Sequence, residues 1–207
     1  MAVSEVPRSD FGEERLEERL ESPEWAAALA QTHFDVVEQL FARGPVLPLR
    51  MCTLFASPDR VADVLTARAA ELQASLDRLA GCAEWSVKVA GRRSASAPRT
   101  ADTPTSGADY LRRASTRLAE QQDAGRRAQQ HAERLHARLS SVAVEVAGGG
   151  PAGGLLHRAS YLVRAGDRDR FLDLVQAADE ASESGVAVEV GGPWAPYSFV
   201  PRLQEAS

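Results

Sequence analysis

The stretch Leu79-Ala80-Gly81-Cys82-Ala83-Glu84-Trp85-Ser86-Val87-Lys88-Val89 takes the chain from a helix into a strand. Before it, apolar residues recur at helical spacing over residues 61–79, and Gly81 is the residue type that commonly follows a helix end. From Trp85 onward apolar and polar residues alternate, which is typical of a strand with one buried face. A helix followed at once by such a strand predicts an α+β or α/β unit.

Two upstream helices begin with the same signal. Ser22-Pro23-Glu24 and Ser57-Pro58-Asp59 each combine an N-cap serine, a proline at the first helical position and an acid in the first turn. They predict helices over residues 23–41 and 58–79. The other elements predicted in this half are a short charged helix over residues 13–21 and strands over residues 2–6 and 46–55.

Downstream, the composition changes sharply. Residues 91–107 are rich in Arg, Ser, Ala, Thr and Pro, which predicts a flexible linker or a long exposed loop. A long helix is predicted over residues 108–140, with a weak heptad pattern that fits either close packing against a neighbour or a self-associating coiled coil. The remaining predicted elements are strands over residues 142–146, 155–164 and 186–190 and a helix over residues 167–184.

These elements predict an α+β protein of two small domains. The N-terminal α+β domain covers residues 1–90, and residues 91–107 form a linker or disordered loop. The C-terminal α+β domain covers residues 108–207 and contains the long helix and the closing segment Gly192–Phe199, which reads GPWAPYSF.

The overall composition restricts the class of protein. The formal net charge of −5 argues against a general polyanion binder. Residues 1–10 have no apolar core of a signal peptide, and no stretch approaches the ~20 apolar residues of a membrane span, so we expect a cytoplasmic protein. Cys52 and Cys82 sit in apolar runs and are interpreted as free, buried cysteines.

No coherent catalytic or metal-binding set is recognisable. His131 and His136 are five residues apart on the predicted long helix, which places them on different faces. The glycine-rich stretch Gly148–Gly154 lacks the Lys-Ser/Thr ending of a phosphate-binding loop. We therefore expect no metal, no cofactor and no enzymatic activity.

Two segments have more than one interpretation. Residues 88–138 carry eleven Lys or Arg against five acids, and their basic helix is either a solvated or docking face or a phosphate-backbone contact. The closing segment Gly192–Phe199 holds three aromatic residues and two prolines. It is either a packing clasp over the edge of the core or a partner-binding patch.

Three blocks together resemble the GvpF/GvpL family of gas vesicle accessory proteins. They are Pro45–Phe55, Leu79–Val89 and the closing segment Gly192–Phe199, and their order and spacing agree with the family. Met51-Cys52 stands where the family usually has Phe-Gly, and Ala195 replaces a usual proline. Family members also usually begin with a further strand and helix, which the N-terminal domain is expected to lack.

The resemblance implies a non-enzymatic, cytoplasmic protein of gas vesicle formation, associated with gas vesicles and made of two α+β domains. It implies binding to the hydrophobic shell protein GvpA and to other accessory proteins, without nucleic acid or membrane as partner. The alternative is a scaffold or nucleic-acid-associated protein acting through the basic helix 108–140. The family-motif residues, with a structural or partner-binding role, are Pro48, Leu49, Arg50, Glu84, Trp85, Lys88, Gly192, Pro193, Trp194, Pro196, Tyr197 and Phe199.

Overall fold

The computed structural model describes residues 1–92, 106–180 and 185–201. The chain divides into two compact units, residues 1–78 with Pro201, and residues 79–200. Within these described ranges, no helix combines the length and the apolar character needed to cross a membrane.

The first unit is built from helices. The serine signals work as predicted, because Ser22 Oγ accepts a hydrogen bond from the Trp25 amide at 3.5 Å and Ser57 Oγ accepts one from the Arg60 amide at 3.3 Å. The predicted helix over residues 58–79 is divided at Arg68, whose φ of −114° departs from helical geometry. The helices are α1 Arg8–Phe11, α2 Glu13–Leu20, α3 Pro23–Phe41, α4 Pro58–Ala67 and α5 Ala69–Leu79.

The strands predicted over residues 2–6 and 46–55 are wrong. No residue of 1–78 lies in a strand, although all of them are described. A strand exists only when a neighbour accepts and donates its backbone hydrogen bonds, and the helices of this unit offer no such neighbour. The second segment instead turns, with the Thr53 amide bonded to the Arg50 carbonyl at 3.1 Å.

The second unit contains an antiparallel sheet of the order β2-β3-β1-β4. It confirms the α+β class, with all described strands in this one unit. Its strands are β1 Cys82–Gly91, β2 Glu145–Gly148, β3 His157–Arg164 and β4 Val186–Trp194, and its helices are α6 Gly107–Ser140 and α7 Arg168–Glu180.

The predicted domain boundary after residue 90 differs from the boundary between the compact units. β1 lies between β3 and β4, with Val87 opposite Ala159 on one side and Val190 on the other. A strand with both edges paired belongs physically to the sheet, so the second unit begins at residue 79. Residues 93–105 of the predicted linker and residues 181–184 of the predicted helix lie outside the described residues.

The core of the second unit lies between one face of the sheet and the two helices. Alternate residues of β1 and β3, such as Trp85 and Tyr161, point toward α6 and α7. On α6, the heptad positions near the C-terminal end, such as Ala132 and Leu139, are buried, whereas Leu118 nearer the N-terminal end is exposed. The core is completed by Val87, Val89, Ala128, Leu135, Val142, Ala159, Val163, Phe171, Val175, Ala178 and Val186.

Candidate functional site

The structure brings two of the three family-like blocks together. The motif residues of β1 and the closing segment Gly192–Phe199 are neighbours in the second unit, because β1 pairs with β4. The register places Glu84 opposite Trp194 and Ser86 opposite Gly191. β4 therefore carries one extra residue at this point, which is a β-bulge beside the motif.

The third block lies in the first unit. Pro48 is buried, Leu49 is half-buried and Arg50 is exposed, in the segment between α3 and α4. The Arg50 carbonyl accepts hydrogen bonds from the amide and the hydroxyl of Thr53, at 3.1 and 2.6 Å. Cys52, at the turn, has a φ of 63°. This left-handed conformation favours glycine, the residue that the resemblance implies for this position.

Glu84 ties the closing segment to the sheet. The residue is 6% exposed, and its side chain points to the face of the sheet opposite the helices. One carboxylate oxygen accepts the Ser198 amide at 2.8 Å, and the other accepts the Ser198 hydroxyl at 2.6 Å. A buried carboxylate without such donors is costly, so these two bonds fix the closing segment over β1.

Two glycines lie at the bulge, where the strands approach closely. A Cβ on Gly192, whose φ is 134°, would lie 2.8 Å from the Glu84 carbonyl oxygen and 3.0 Å from Cε3 of Trp85. A Cβ on Gly191 would lie 2.9 Å from Ser86 Oγ. The Gly192-Pro193 peptide bond is cis. The close approach of the two backbones explains why the motif contains glycine directly before its proline.

Trp85 anchors the other face of β1. Trp85 is buried, and its ring centroid lies 6.2 Å from the ring centroid of Phe171. The guanidinium carbon of Arg168 lies 6.0 Å from the centroid of the Trp85 ring. Adjacent residues of a strand point to opposite faces, so Glu84 and Trp85 serve the two faces of the sheet. The pair Glu84-Trp85 thus couples the closing segment to the helical core.

The closing segment combines buried and exposed parts. Pro196 and Phe199 are buried, and Tyr197 is half-buried in the short 3-10 turn Tyr197–Phe199, which contacts β2. Pro193 and Trp194 are exposed, with 38% of the tryptophan accessible. The geometry therefore provides a clasp at its end and an accessible aromatic side chain at its start.

A polar surface lies beside this clasp. Lys88 Nζ is 2.7 Å from Glu189 Oε1 across the β1 and β4 pair, and both side chains are solvated. Ser86 and Ser160 are half-buried on the same face, and Ser160 Oγ lies 3.3 Å from Ser198 Oγ. The surface next to Trp194 therefore combines an exposed aromatic ring with polar and charged side chains.

Sequence reasoning missed a buried polar network at the end of α6. Tyr161 Oη is 2.8 Å from His136 Nδ1 and 3.4 Å from His157 Nε2, and the Gly150 amide donates to His157 Nδ1 at 3.2 Å. The last bond requires an unprotonated Nδ1, so the His157 proton resides on Nε2 and points to the tyrosine. The histidines are separated by 21 residues, and no sequence pattern indicates their contact.

Burial controls the proton equilibria of this network. Burial and the neighbouring His136 lower the pKa of His157, and burial raises the pKa of the Tyr161 phenol. Both side chains are therefore neutral hydrogen-bonding groups in the fold. Across the described residues, no three His, Cys, Asp or Glu side chains cluster closely enough to hold a metal ion.

Comparison with known proteins defines the class. The sequence profile of the family described as Gas vesicle synthesis protein GvpL/GvpF matches residues 1–201. The chain therefore belongs to the GvpL/GvpF family and is a gas vesicle accessory protein. It is 35% identical over 213 aligned positions to Gas vesicle protein L of Streptomyces sp. (strain CB03234), covering 97% of this chain and 79% of that protein.

Solved structures agree on the fold. The crystal structure of GvpF from Anabaena sp. PCC7120 superposes with a TM-score of 0.61 at 20% identity, covering 83% of this chain and 77% of the other. GvpF from Microcystis aeruginosa gives a TM-score of 0.59 at 19% identity, with coverages of 86% and 78%. These likenesses support the mixed helical and antiparallel sheet architecture.

Proposed function

We propose that this protein is a cytoplasmic, non-enzymatic assembly factor that binds the hydrophobic gas vesicle shell protein GvpA together with other accessory proteins. It holds shell subunits before they polymerise and delivers them to, or stays with, the growing wall. The observation that carries the proposal is the family match over residues 1–201.

The clasp supplies a physical basis for binding. Trp194 is held at a defined place because the chain is attached to β1 on both sides of it. The glycine bulge lies before Trp194, and the hydrogen bonds between Glu84 and Ser198 lie after it. An exposed tryptophan on a fixed backbone loses little conformational freedom on binding, and tryptophan is enriched among interface anchors. We therefore propose Trp194 and the adjoining amphipathic surface as a contact for a partner protein.

The test is co-purification of the tagged chain with shell protein from cells that express both. The proposal expects retention of shell protein by the wild-type chain and reduced retention by Trp194→Ala. Val144→Ala is the matched control, because Val144 is exposed to a similar extent, 39% against 38%. Absence of retention by the wild-type chain contradicts the proposed function, and equal retention by both variants contradicts the assigned surface.

A nucleic-acid-associated role through the basic helix 108–140 makes a different prediction. It requires binding to DNA or RNA that falls steeply with salt concentration. Measuring the affinity of the same purified chain for a short duplex at two salt concentrations separates this alternative from protein binding.

A further inference from the structure

The connection between β2 and β3 is rich in glycine and closes over two histidines. We call Gly148–Gly154 the glycine loop; its residues are exposed except Gly150, which is half-buried. A Cβ on Gly149 would lie 3.6 Å from both Cε1 and Nε2 of His136, so the backbone of the loop rests on that imidazole. The proposed binding of shell protein makes no use of this loop or of the histidines beneath it.

Two hydrogen bonds hold Gly150 to β3. Its amide donates to His157 Nδ1 at 3.2 Å, and its carbonyl accepts the Arg158 amide at 3.0 Å. A Cβ on Gly150, Gly153 or Gly154 would meet no atom within 4 Å beyond its chain neighbours, so little packing supplements these bonds. The attachment of the glycine loop therefore depends on a side chain that can change its protonation state.

The hydrogen bonds beneath the loop form a chain with one direction. Because the Gly150 amide donates to His157 Nδ1, the His157 proton lies on Nε2, 3.4 Å from Tyr161 Oη. The Tyr161 hydroxyl accepts this bond and donates its own proton to His136 Nδ1 at 2.8 Å. Three donors thus meet three acceptors, as buried polar groups require.

An added proton upsets this balance of donors and acceptors. On His157 it occupies Nδ1, which then faces the Gly150 amide as a second donor. On His136 it also occupies Nδ1, and the Tyr161 hydroxyl then finds an acceptor only if the His157 proton moves from Nε2 to Nδ1. Both routes place a proton on Nδ1 of His157 and leave the Gly150 amide without its acceptor, which is costly inside a protein.

The groups that face His157 do not stabilise a positive charge. α6 presents His136, whose ring centroid lies 4.4 Å from that of His157, and β3 presents Tyr161. β1 presents Val89 in the paired position. The charged residues of the three strands nearest in sequence to these positions point to the other face of the sheet and are Lys88, Glu145 and Arg158. A proton on His157 is therefore accommodated better once the glycine loop opens and admits water.

We infer that the glycine loop is a proton-controlled flap, closed over His136 and His157 at neutral pH and released when a proton reaches Nδ1 of His157. Burial and the neighbouring His136 lower the pKa of His157 in the closed state, so the open state takes up the proton first as pH falls. Acid therefore shifts the population toward the open loop. The inference concerns the loop between β2 and β3 and does not depend on the binding of shell protein.

The test is hydrogen exchange of single amides in the full chain, measured by NMR at about pH 7.5 and about pH 5.5 and expressed as protection factors. The Gly150 amide reports the loop, and the Val87 amide, in the strand between β3 and β4, reports unfolding of the whole unit. A histidine that is protonated at about pH 6.5 in the open state alone raises the opening constant by up to about tenfold over this range. We expect the protection of Gly150 to fall by about threefold to tenfold. At both pH values Gly150 should exchange at least about tenfold faster than Val87 and be insensitive to low urea, because a local opening exposes little surface.

Matched variants assign the response to one histidine. His157→Asn places an amide oxygen near the position of Nδ1, and this acceptor does not titrate. We expect Gly150 to stay protected in this variant, with a pH response of less than about twofold. His131→Asn makes the same substitution at a histidine of α6 that contacts Ala178, and it is expected to keep the wild-type response.

The contradicting outcomes are definite. A wild-type change in Gly150 protection below about twofold, equal protection of Gly150 and Val87, or equal pH responses of the two variants overturns the inference. The imidazole ¹⁵N chemical shifts of the wild-type chain test the chain of bonds without any substitution, because a His157 proton on Nδ1 at about pH 7.5 also overturns it. Shell protein is absent from these measurements, so their failure leaves the proposed function untouched.

Discussion

Glu84 is the residue on which the closing segment depends. Its buried carboxylate accepts both the amide and the hydroxyl of Ser198, at 2.8 and 2.6 Å. Glu84→Ala removes both acceptors, and Ser198→Ala removes the hydroxyl alone. We expect the first change to release residues 192–200 from the sheet and the second to loosen them.

The magnitudes follow from the two bonds. A hydrogen bond to a charged group contributes about 1.5–3 kcal/mol net, and Ser198 is exposed, so water replaces part of each bond in the variants. Glu84→Ala is expected to lower the free energy of unfolding by about 2–4 kcal/mol, and Ser198→Ala by about 1–2 kcal/mol. The double variant should show a coupling energy of about 1 kcal/mol or more.

The assay is urea unfolding of the four proteins in a double-mutant cycle, with hydrogen exchange of the peptide that covers residues 192–200. We expect faster hydrogen exchange in that peptide and unchanged exchange in α3, because α3 belongs to the other unit. A change below about 0.5 kcal/mol for Glu84→Ala, or additive effects of the two substitutions, refutes the role assigned to the pair.

Three further predictions concern backbone conformation and pH. Gly192→Ala is expected to cost at least about 2 kcal/mol of unfolding free energy, because its Cβ would meet the Glu84 carbonyl at 2.8 Å. Gly150→Ala is the control, because Gly150 has a φ of 126° but open space around its Cβ position. Equal losses of unfolding free energy in the two variants contradict the role of the contact with the Glu84 carbonyl. Cys52→Gly is expected to raise the melting temperature, since a left-handed L-residue costs about 1–2 kcal/mol, and a lower melting temperature contradicts this. The pKa of His157 is lowered in the fold, so the unfolded chain takes up the proton first as pH falls through about 6.5. Stability is therefore lost from about pH 6.5 downward by at most about 1.4 kcal/mol per pH unit for this residue, and His157→Gln should show a smaller acid loss in urea titrations. If the variant loses as much stability at acid pH as the wild-type chain, His157 is not the residue responsible. The titratable groups that face His157 are His136 and Tyr161.

Local sequence patterns predicted where several helices and strands lie along the chain. The N-cap serines and prolines located α3 and α4, and alternation located β1 correctly. The same kind of pattern failed over residues 2–6 and 46–55, where suitable residues have no strand to pair with in their own unit. Alternation of apolar and polar residues indicates that a segment can form a strand, but whether it pairs depends on the rest of the chain.

Distant contacts were beyond local patterns. The partners of β1 come from residues 157–164 and 186–194, whereas sequence order grouped β1 with the residues that precede it. The Glu84–Ser198 bonds join residues 114 apart, and each lies in a family-like block without any sign of the other. The buried network of His136, Tyr161 and His157 likewise depends on the packing of α6 against β3.

The binding of shell protein is the central claim, and a time course of shell-protein aggregation tests it most directly. Shell protein diluted from denaturant is followed by light scattering with and without an equimolar amount of this chain. We expect delayed or suppressed scattering with the wild-type chain and a weaker effect with Trp194→Ala. Scattering that is unchanged by the wild-type chain contradicts the account.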